Sequence, residues 1–273
     1  DVKNLDTHTA LLQQSLADQL RIEQAPLFRV ALLNSAAGSR VVWVIHHLIV
    51  DTLSHSLLLN DLHQLYAGDA NAESVLPGKS LSYFAWAERL QNQLAGKEQE
   101  LLEPWKATLA SAAIAPELPI GSGAESISLG VEECRFDAQQ TARLLSHAPA
   151  CYHQSPEELV LAGVYLALGQ TFGVSQLGID IEWHGRDEII GGTEGLDRTL
   201  GWFTSVHPLF LALPDFPAQD SEQSLGHFLR YLKEERAAVP ARGRDFYALR
   251  YLSDHDEVKT AFRNYRAPSI LFN

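Results

Sequence analysis

VVWVIHHLIVDTLSHSLLLNDL, residues 41–62, changes character half-way along. Up to Ile45 it is β-branched and aromatic, which favours a strand. From Leu53 onward Leu57, Leu58, Leu62 and then Leu65 recur at helical spacing. His46, His47 and, three apolar residues later, Asp51 stand between the two halves. If the strand runs through both histidines, they point to opposite faces and cannot share one metal. If the whole stretch is helical, His47, Asp51 and His55 stack at i, i+4 and i+8 and can form a metal site. The valine and isoleucine run argues against that helix. No HExxH or Cys/His cluster stands elsewhere, so no metal is expected. The preferred reading is a strand end, a short loop carrying Asp51, then a helix. Strand ends at lobe interfaces are common places for catalytic groups. A histidine there suits proton transfer near neutral pH.

The chain has 273 residues, 46% hydrophobic and 20% charged, the profile of a globular protein with one large or two medium lobes. A formal charge of −13 disfavours nucleic acid and anionic membranes as partners. No apolar run reaches the roughly 18 residues that span a bilayer. The polar opening DVKNLDTHTA has no apolar signal region, and Cys134 and Cys151 lie in no CxxC spacing. A reducing, cytoplasmic setting is expected. Methionine is absent, which suggests a chain beginning inside a longer polypeptide.

Helices and strands alternate along the rest of the chain, which predicts an α/β fold with mixed sheets in two lobes. A helix is expected around Leu11–Leu20, and strands around Leu27–Leu33 and Arg40–Ile45. A further helix is expected over Ser82–Leu94, capped by Ser80 or Ser82. The Pro-, Gly- and Ser-rich segment 114–126 is the candidate linker between a first lobe at 1–113 and a second at 127–273. In the second lobe SLGVEECRF reads as a strand and DAQQTARLLSHAPA as a helix with an Asp cap. Ser155, Pro156, Glu157 and Glu158 open a strong helix that Gly173 closes. QLGIDIEWHGR and GWFTSVHPLFLALP read as strands, and SEQSLGHFLRYLKEERAAV as an amphipathic helix.

Taken together, these stretches resemble one family. HHLIVDTLSHSLLLNDL is similar to the HHxxxDG signature of the condensation-domain superfamily of nonribosomal peptide synthetases, which shares the chloramphenicol acetyltransferase fold. KSLSYFAWAERL (Lys79–Leu90), IEWHGRDE (Ile181–Glu188) and DRTLGWFTSVHPL (Asp197–Leu209) resemble successive motifs of its epimerization branch, the last two being that branch's EGHGRE and RTVGWFT motifs. KEERAAVPARGRDFYALRYL (Lys233–Leu252) and the closing PSILFN continue the series. The family's opening PIQxWF segment and the residues after FN are not in this sequence, so it reads as a fragment of a larger domain.

The resemblance implies two acetyltransferase-like lobes with a site at their interface. It implies epimerization, L to D, of the α-carbon of an aminoacyl or peptidyl thioester. Two groups flank the carbon, one removing and one returning the proton, and donors hold the enolate oxygen. His47 and Glu182 match the family's proton-transfer positions, and a desolvated carboxylate could work near pH 7. Asp51 matches a structural aspartate that pairs with Arg186 and ties the turn to the opposite lobe; His46 is read as a packed histidine. Thr52, Ser54, Trp183, His184, Trp202 and Thr204 are expected along the substrate tunnel or wall. No cofactor is implied, the substrate being carried on phosphopantetheine of a peptidyl carrier protein. That protein, neighbouring synthetase domains and a tailoring enzyme are the partners in view. Three positions depart from the pattern. Thr52 stands for the motif glycine, His55 for the usual Trp and Trp183 for the first glycine of EGHGRE. These departures keep open a catalytically impaired platform that recruits a carrier protein or tailoring enzyme. A third reading, peptide-bond formation, fits the EWHGR and RTLGWFTS stretches less well.

Overall fold

The expected strand, turn and helix at 41–62 are formed. The computed structural model describes residues 2–36, 38–68, 76–119, 130–186, 195–214 and 221–273. Two compact units emerge: Asp1–Asn92 with Arg186–Thr204, and Gln93–Gly185 with Ser205–Asn273. The first unit is therefore discontinuous in sequence.

In the first unit α1 (Val2–Ala17) packs on the antiparallel hairpin β1 (Phe28–Ser35) and β2 (Gly38–Ile45). The strand period of two divides the hairpin into faces. Buried Val42 lies on the face that α1 covers, and Arg40 of that face reaches Asp6 of α1 at 2.6 Å. Phe28, Val30 and Leu32, with Val41 opposite Leu32, stand exposed on the other face. Helix α2 (Thr52–Ala67) starts at Asp51, whose side chain accepts the Ser54 N–H at 2.7 Å, an N-cap that satisfies a donor the helix itself cannot. Helix α3 (Tyr83–Leu94) follows, and the Ser82 hydroxyl accepts from the Ala85 N–H, so Ser82 rather than Ser80 is the cap. The core of this unit gathers Trp86, Leu196 and Phe203, with Leu81, Tyr83 and Leu90 around them.

The second unit runs α4 (Glu98–Leu102), α5 (Lys106–Ile114), α6 (Ala138–Ala142), α7 (Ala148–Tyr152), α8 (Pro156–Phe172), β3 (Gln176–Trp183), β4 (Ser205–Ala212), α9 (Ser221–Ala238), α10 (Arg244–Leu252), α11 (Asp256–Phe262) and β5 (Leu271–Phe272). Its sheet has the order β4-β3-β5, antiparallel between β3 and β4 and parallel between β3 and β5. Leu177, Ile179, Leu209 and Leu211 face a core shared with α8 and α9. Asp180, on the opposite face of β3, meets Tyr247 of α10. There α10 and α11 build a second core with Leu102 and Trp105. The caps expected for α6 and α8 are present: Asp137 and Ser155 each form a reciprocal capping box, and Gly173 closes α8 at φ 64°.

Two expectations fail. SLGVEECRF is not a strand over its described part: residues 130–136 pair with no strand among the described residues, and Val131 and Phe136 are exposed. Alternating apolar residues make a strand only where a partner edge and a core await them. The strand expected from Gly201 begins only at Ser205. The backbone N–H groups of Gly201 and Phe203 turn instead to the side chains of Ser54 and Asp51. The linker read at 114–126 lies outside the described residues from 120 onward, as do Asp187 and Glu188.

Candidate active site

Strand β2 stops at Ile45, one residue short of the histidines, so His46 and His47 are not on two faces of a strand. His46 is a half-buried turn residue: its Nδ1 accepts the Leu48 N–H at 3.2 Å and caps a 3₁₀ turn over His47–Ile49. Local capping competes with the strand ladder and ends it. His47 is exposed, with its ring 4.9 Å from that of Trp202.

Asp51 is the hub of the unit. Its carboxylate receives Arg186 through Nε at 3.2 Å and Nη2 at 3.0 Å, besides the Ser54 N–H. Arg186 spends its remaining donors on the carbonyls of Leu196 (3.1 Å) and Thr199 (2.8 Å) and on the Ser54 hydroxyl (2.9 Å). Its guanidinium lies 4.2 Å over the Phe203 ring. Both charged side chains are only 8% exposed. Burial alone would push the Asp51 carboxyl up. The Ser54 N–H and hydroxyl together with Arg186 outweigh it and hold the group below the ordinary carboxylate value. The pair expected from the resemblance is thus made, but both partners belong to the same compact unit.

Ser54 is fully buried, its hydroxyl bonded to both N–H and C=O of Gly201 at 3.1 Å, so it braces the 196–203 turn and offers nothing to a tunnel. Thr52 is exposed at the first helical position of α2. That position calls for ordinary helical φ, which a β-branched residue adopts without strain. Among the described non-glycine residues only His153, Ala241 and Arg242 have positive φ. Any effect of Thr52 therefore comes from its bulk. Trp202 is 41% exposed, and Thr204 is half-buried at the end of the first unit.

In the second unit Glu182 is half-buried near the end of β3, opposite Val206. Asp180 shares its face two residues earlier. Burial pushes the Asp180 carboxyl up to about 6, only partly countered by the Tyr247 hydroxyl at 3.3 Å and the charge of Arg250. Trp183 points to the other face of the strand. There the Arg242 guanidinium lies 4.9 Å over its indole, and the exposed His184 ring is 4.9 Å away.

Two further features of the first unit escaped the sequence reading. Arg198 forks onto both oxygens of Asp61 at 2.9 and 2.7 Å, fixing the turn to α2. Gly201 sits so close to the Tyr83 ring that a Cβ would come within 2.2 Å of it. The available signals were an acid on an otherwise leucine-rich helix and a glycine between apolar residues. Among the described residues no group of three or more His, Cys, Asp or Glu side chains could hold a metal ion. No helix among them is long and apolar enough to cross a membrane.

The condensation-domain family model matches residues 1–265. The chain belongs to the condensation-domain family of nonribosomal peptide synthetases. This condensation-family chain is 32% identical over 271 residues to chondramide synthase cmdD of Chondromyces crocatus, covering 95% of itself but 6% of that protein. It is similar to the crystal structure of the epimerization domain from the third module of tyrocidine synthetase B. There the TM-score is 0.79 at 26% identity, over 98% of this chain and 59% of that one. The first condensation domain of the CDA synthetase shares the fold at TM-score 0.63 and 17% identity, over 86% of this chain and 51% of that one.

Proposed function

We propose that this chain epimerizes the α-carbon of an aminoacyl or peptidyl thioester carried on the phosphopantetheine of a peptidyl carrier protein. The observation that carries the reading is the likeness to the tyrocidine synthetase epimerization domain. It extends over 98% of the chain at 26% identity, against 86% and 17% for the CDA condensation domain. In this reading His47 and Glu182 are the two proton-transfer groups. One takes the α-proton, the thioester carbonyl becomes an enolate, and the other returns a proton to the opposite face, so no net oxidation and no cofactor are needed. The Asp51–Arg186–Ser54 brace does no chemistry; it fixes the turn that presents His47. Its carrier protein and the neighbouring synthetase domains are the proposed partners.

The test is to load the carrier with an L-aminoacyl thioester in deuterated water and follow α-deuterium uptake and D-product. Wild type should exchange, and Glu182→Gln and His47→Ala should each lose exchange by at least the roughly 100-fold that general acid–base catalysis contributes. Carrier binding with no exchange by the intact protein would overturn epimerization in favour of a non-catalytic platform for the carrier or a tailoring enzyme. Peptide bond formation from two loaded carriers would favour condensation. Thr52→Gly separates bulk from catalysis: relief of crowding raises exchange and leaves carrier affinity unchanged.

A further inference from the structure

Asp180 is a buried acid that the proposed chemistry does not use. It stands on the face of β3 that carries Glu182. On that face Gly178 lies opposite Phe210, Asp180 opposite Pro208 and Glu182 opposite Val206, with Leu271 of β5 on the other side of Asp180. Side chains two residues apart on one strand face are separated by about 6–7 Å along the strand. Asp180 is thus the next side chain along the face from Glu182.

The Asp180 carboxyl is cut off from water. The residue is 8% exposed, and its Oδ1 is buried with no hydrogen-bond partner among the described residues. Oδ2 accepts the Tyr247 hydroxyl of α10 at 3.3 Å. Arg250, also of α10, acts on the acid only through its charge. Its guanidinium is stacked over the rings of Tyr247, Tyr251 and Tyr265 at 5.7, 5.2 and 4.9 Å. Tyr265, which follows α11, and Tyr165 of α8 also feel the Asp180 charge. Pro208 and Leu271, its neighbours on β4 and β5, do not titrate. Burial disfavours the ionised form and pushes the carboxyl up to about 6. The interior screens a charge less than water does, so a charge formed there carries further. A negative charge beside a carboxyl favours its proton-bound form, and acids that interact in this way titrate as a pair.

We propose that Asp180 acts through Glu182, as a positioning residue whose own proton sets how firmly Glu182 holds the proton it transfers. This role rests on Glu182 being one of the two proton-transfer groups. With Asp180 protonated, Glu182 is the only charged side chain on its face of β3. With Asp180 ionised, a second negative charge on that face strengthens Glu182 as a base.

The experiment is carbon-13 NMR of the intact protein labelled at its Asp and Glu side-chain carboxyls, titrated from pH 4 to 8. The Glu182 resonance, assigned by its loss in Glu182→Gln, should move in two steps in wild type, one of them near the pH of about 6 at which Asp180 ionises. Asp180→Asn should lose that step. Tyr247→Phe removes the hydroxyl that favours the Asp180 carboxylate, so the step should move to higher pH; this variant keeps the test decisive if Asp180→Asn does not fold. Histidine titrations persist in all three proteins, so only the differences between them read Asp180. The same steps in all three overturn the coupling. Exchange of α-deuterium over the same range separates this role from the epimerization reading. At pH 7 the exchange rate should change at least 3-fold in Asp180→Asn, with KM for the loaded carrier within 2-fold of wild type and the inflection near pH 6 lost. Coupled titration with no exchange by any of the proteins overturns epimerization alone. Exchange with superimposable pH profiles in wild type and Asp180→Asn overturns the role of Asp180.

Discussion

Arg186→Ala is the most demanding test of the architecture, because it removes a charge that donates six hydrogen bonds and leaves its partner in place. Asp51 would keep the Ser54 N–H at 2.7 Å and the long Phe203 N–H at 3.5 Å but lose every charged contact. The carbonyls of Leu196 and Thr199 would lose their guanidinium donor. Breaking a buried pair from one side costs about 3–5 kcal/mol, mostly for stranding the other charge. Asp51→Asn/Arg186→Met strands no charge and should recover a good part of that loss. The acid limb follows from the depressed Asp51 pKa. A group whose folded pKa lies below its unfolded value of 3.8 contributes stability above that pH and loses it as pH falls through the folded value. Wild type should therefore lose this contribution only below about pH 4, and Asp51→Asn should lack that part of the acid limb. Urea unfolding followed by tryptophan fluorescence reads the first unit through Trp86, which lies in its core. A loss under about 1 kcal/mol for Arg186→Ala, with an unchanged denaturant slope, would refute the claim that the pair holds the turn.

Other outcomes follow from the same geometry. Gly201→Ala should destabilise by about 1–3 kcal/mol through its clash with Tyr83, measured by the same unfolding. The Asp180 pKa of about 6 works in the opposite sense to that of Asp51. The protonated form is favoured in the fold, so this contribution is full below 3.8 and is lost as pH rises through 6. Two units at about 1.4 kcal/mol each make that loss about 3 kcal/mol, and Asp180→Asn should flatten the stability profile between pH 4 and 7. Arg198→Ala should cost about 1 kcal/mol or less, because its pair with Asp61 is partly solvated at 20% and 23% exposure. A cost as large as that of Arg186→Ala would contradict this ranking of the two pairs.

What the sequence made legible was local. The β-branched run before Ile45, the Asp51 and Ser155 caps and the glycine after α8 all act within a few residues, and each stands where its chemistry put it. The partner of Asp51 lies 135 residues away, and only the ordered motifs pointed to Arg186. The failures share a cause. GWFTS has the composition of a strand, but its backbone donors are claimed by Ser54 and Asp51, some 150 residues earlier. The histidines follow a strand pattern, yet His46 finds a nearer partner in Leu48. Neither competition leaves a trace in the local pattern.

The return of residues 186–204 to the first unit fixes an order of events during synthesis. Asp51, Asp61 and Trp86 are translated early, while Arg186, Arg198 and Phe203 follow roughly a hundred residues later. At 5–20 residues per second the ribosome takes on the order of 5–20 s to supply them. Through that interval a carboxylate and an apolar core wait without their counterparts. The second unit cannot close its sheet sooner either, since β4 emerges directly after the excursion. The first unit is therefore complete in sequence at Thr204, while the second still awaits β4, α9, α10, α11 and β5.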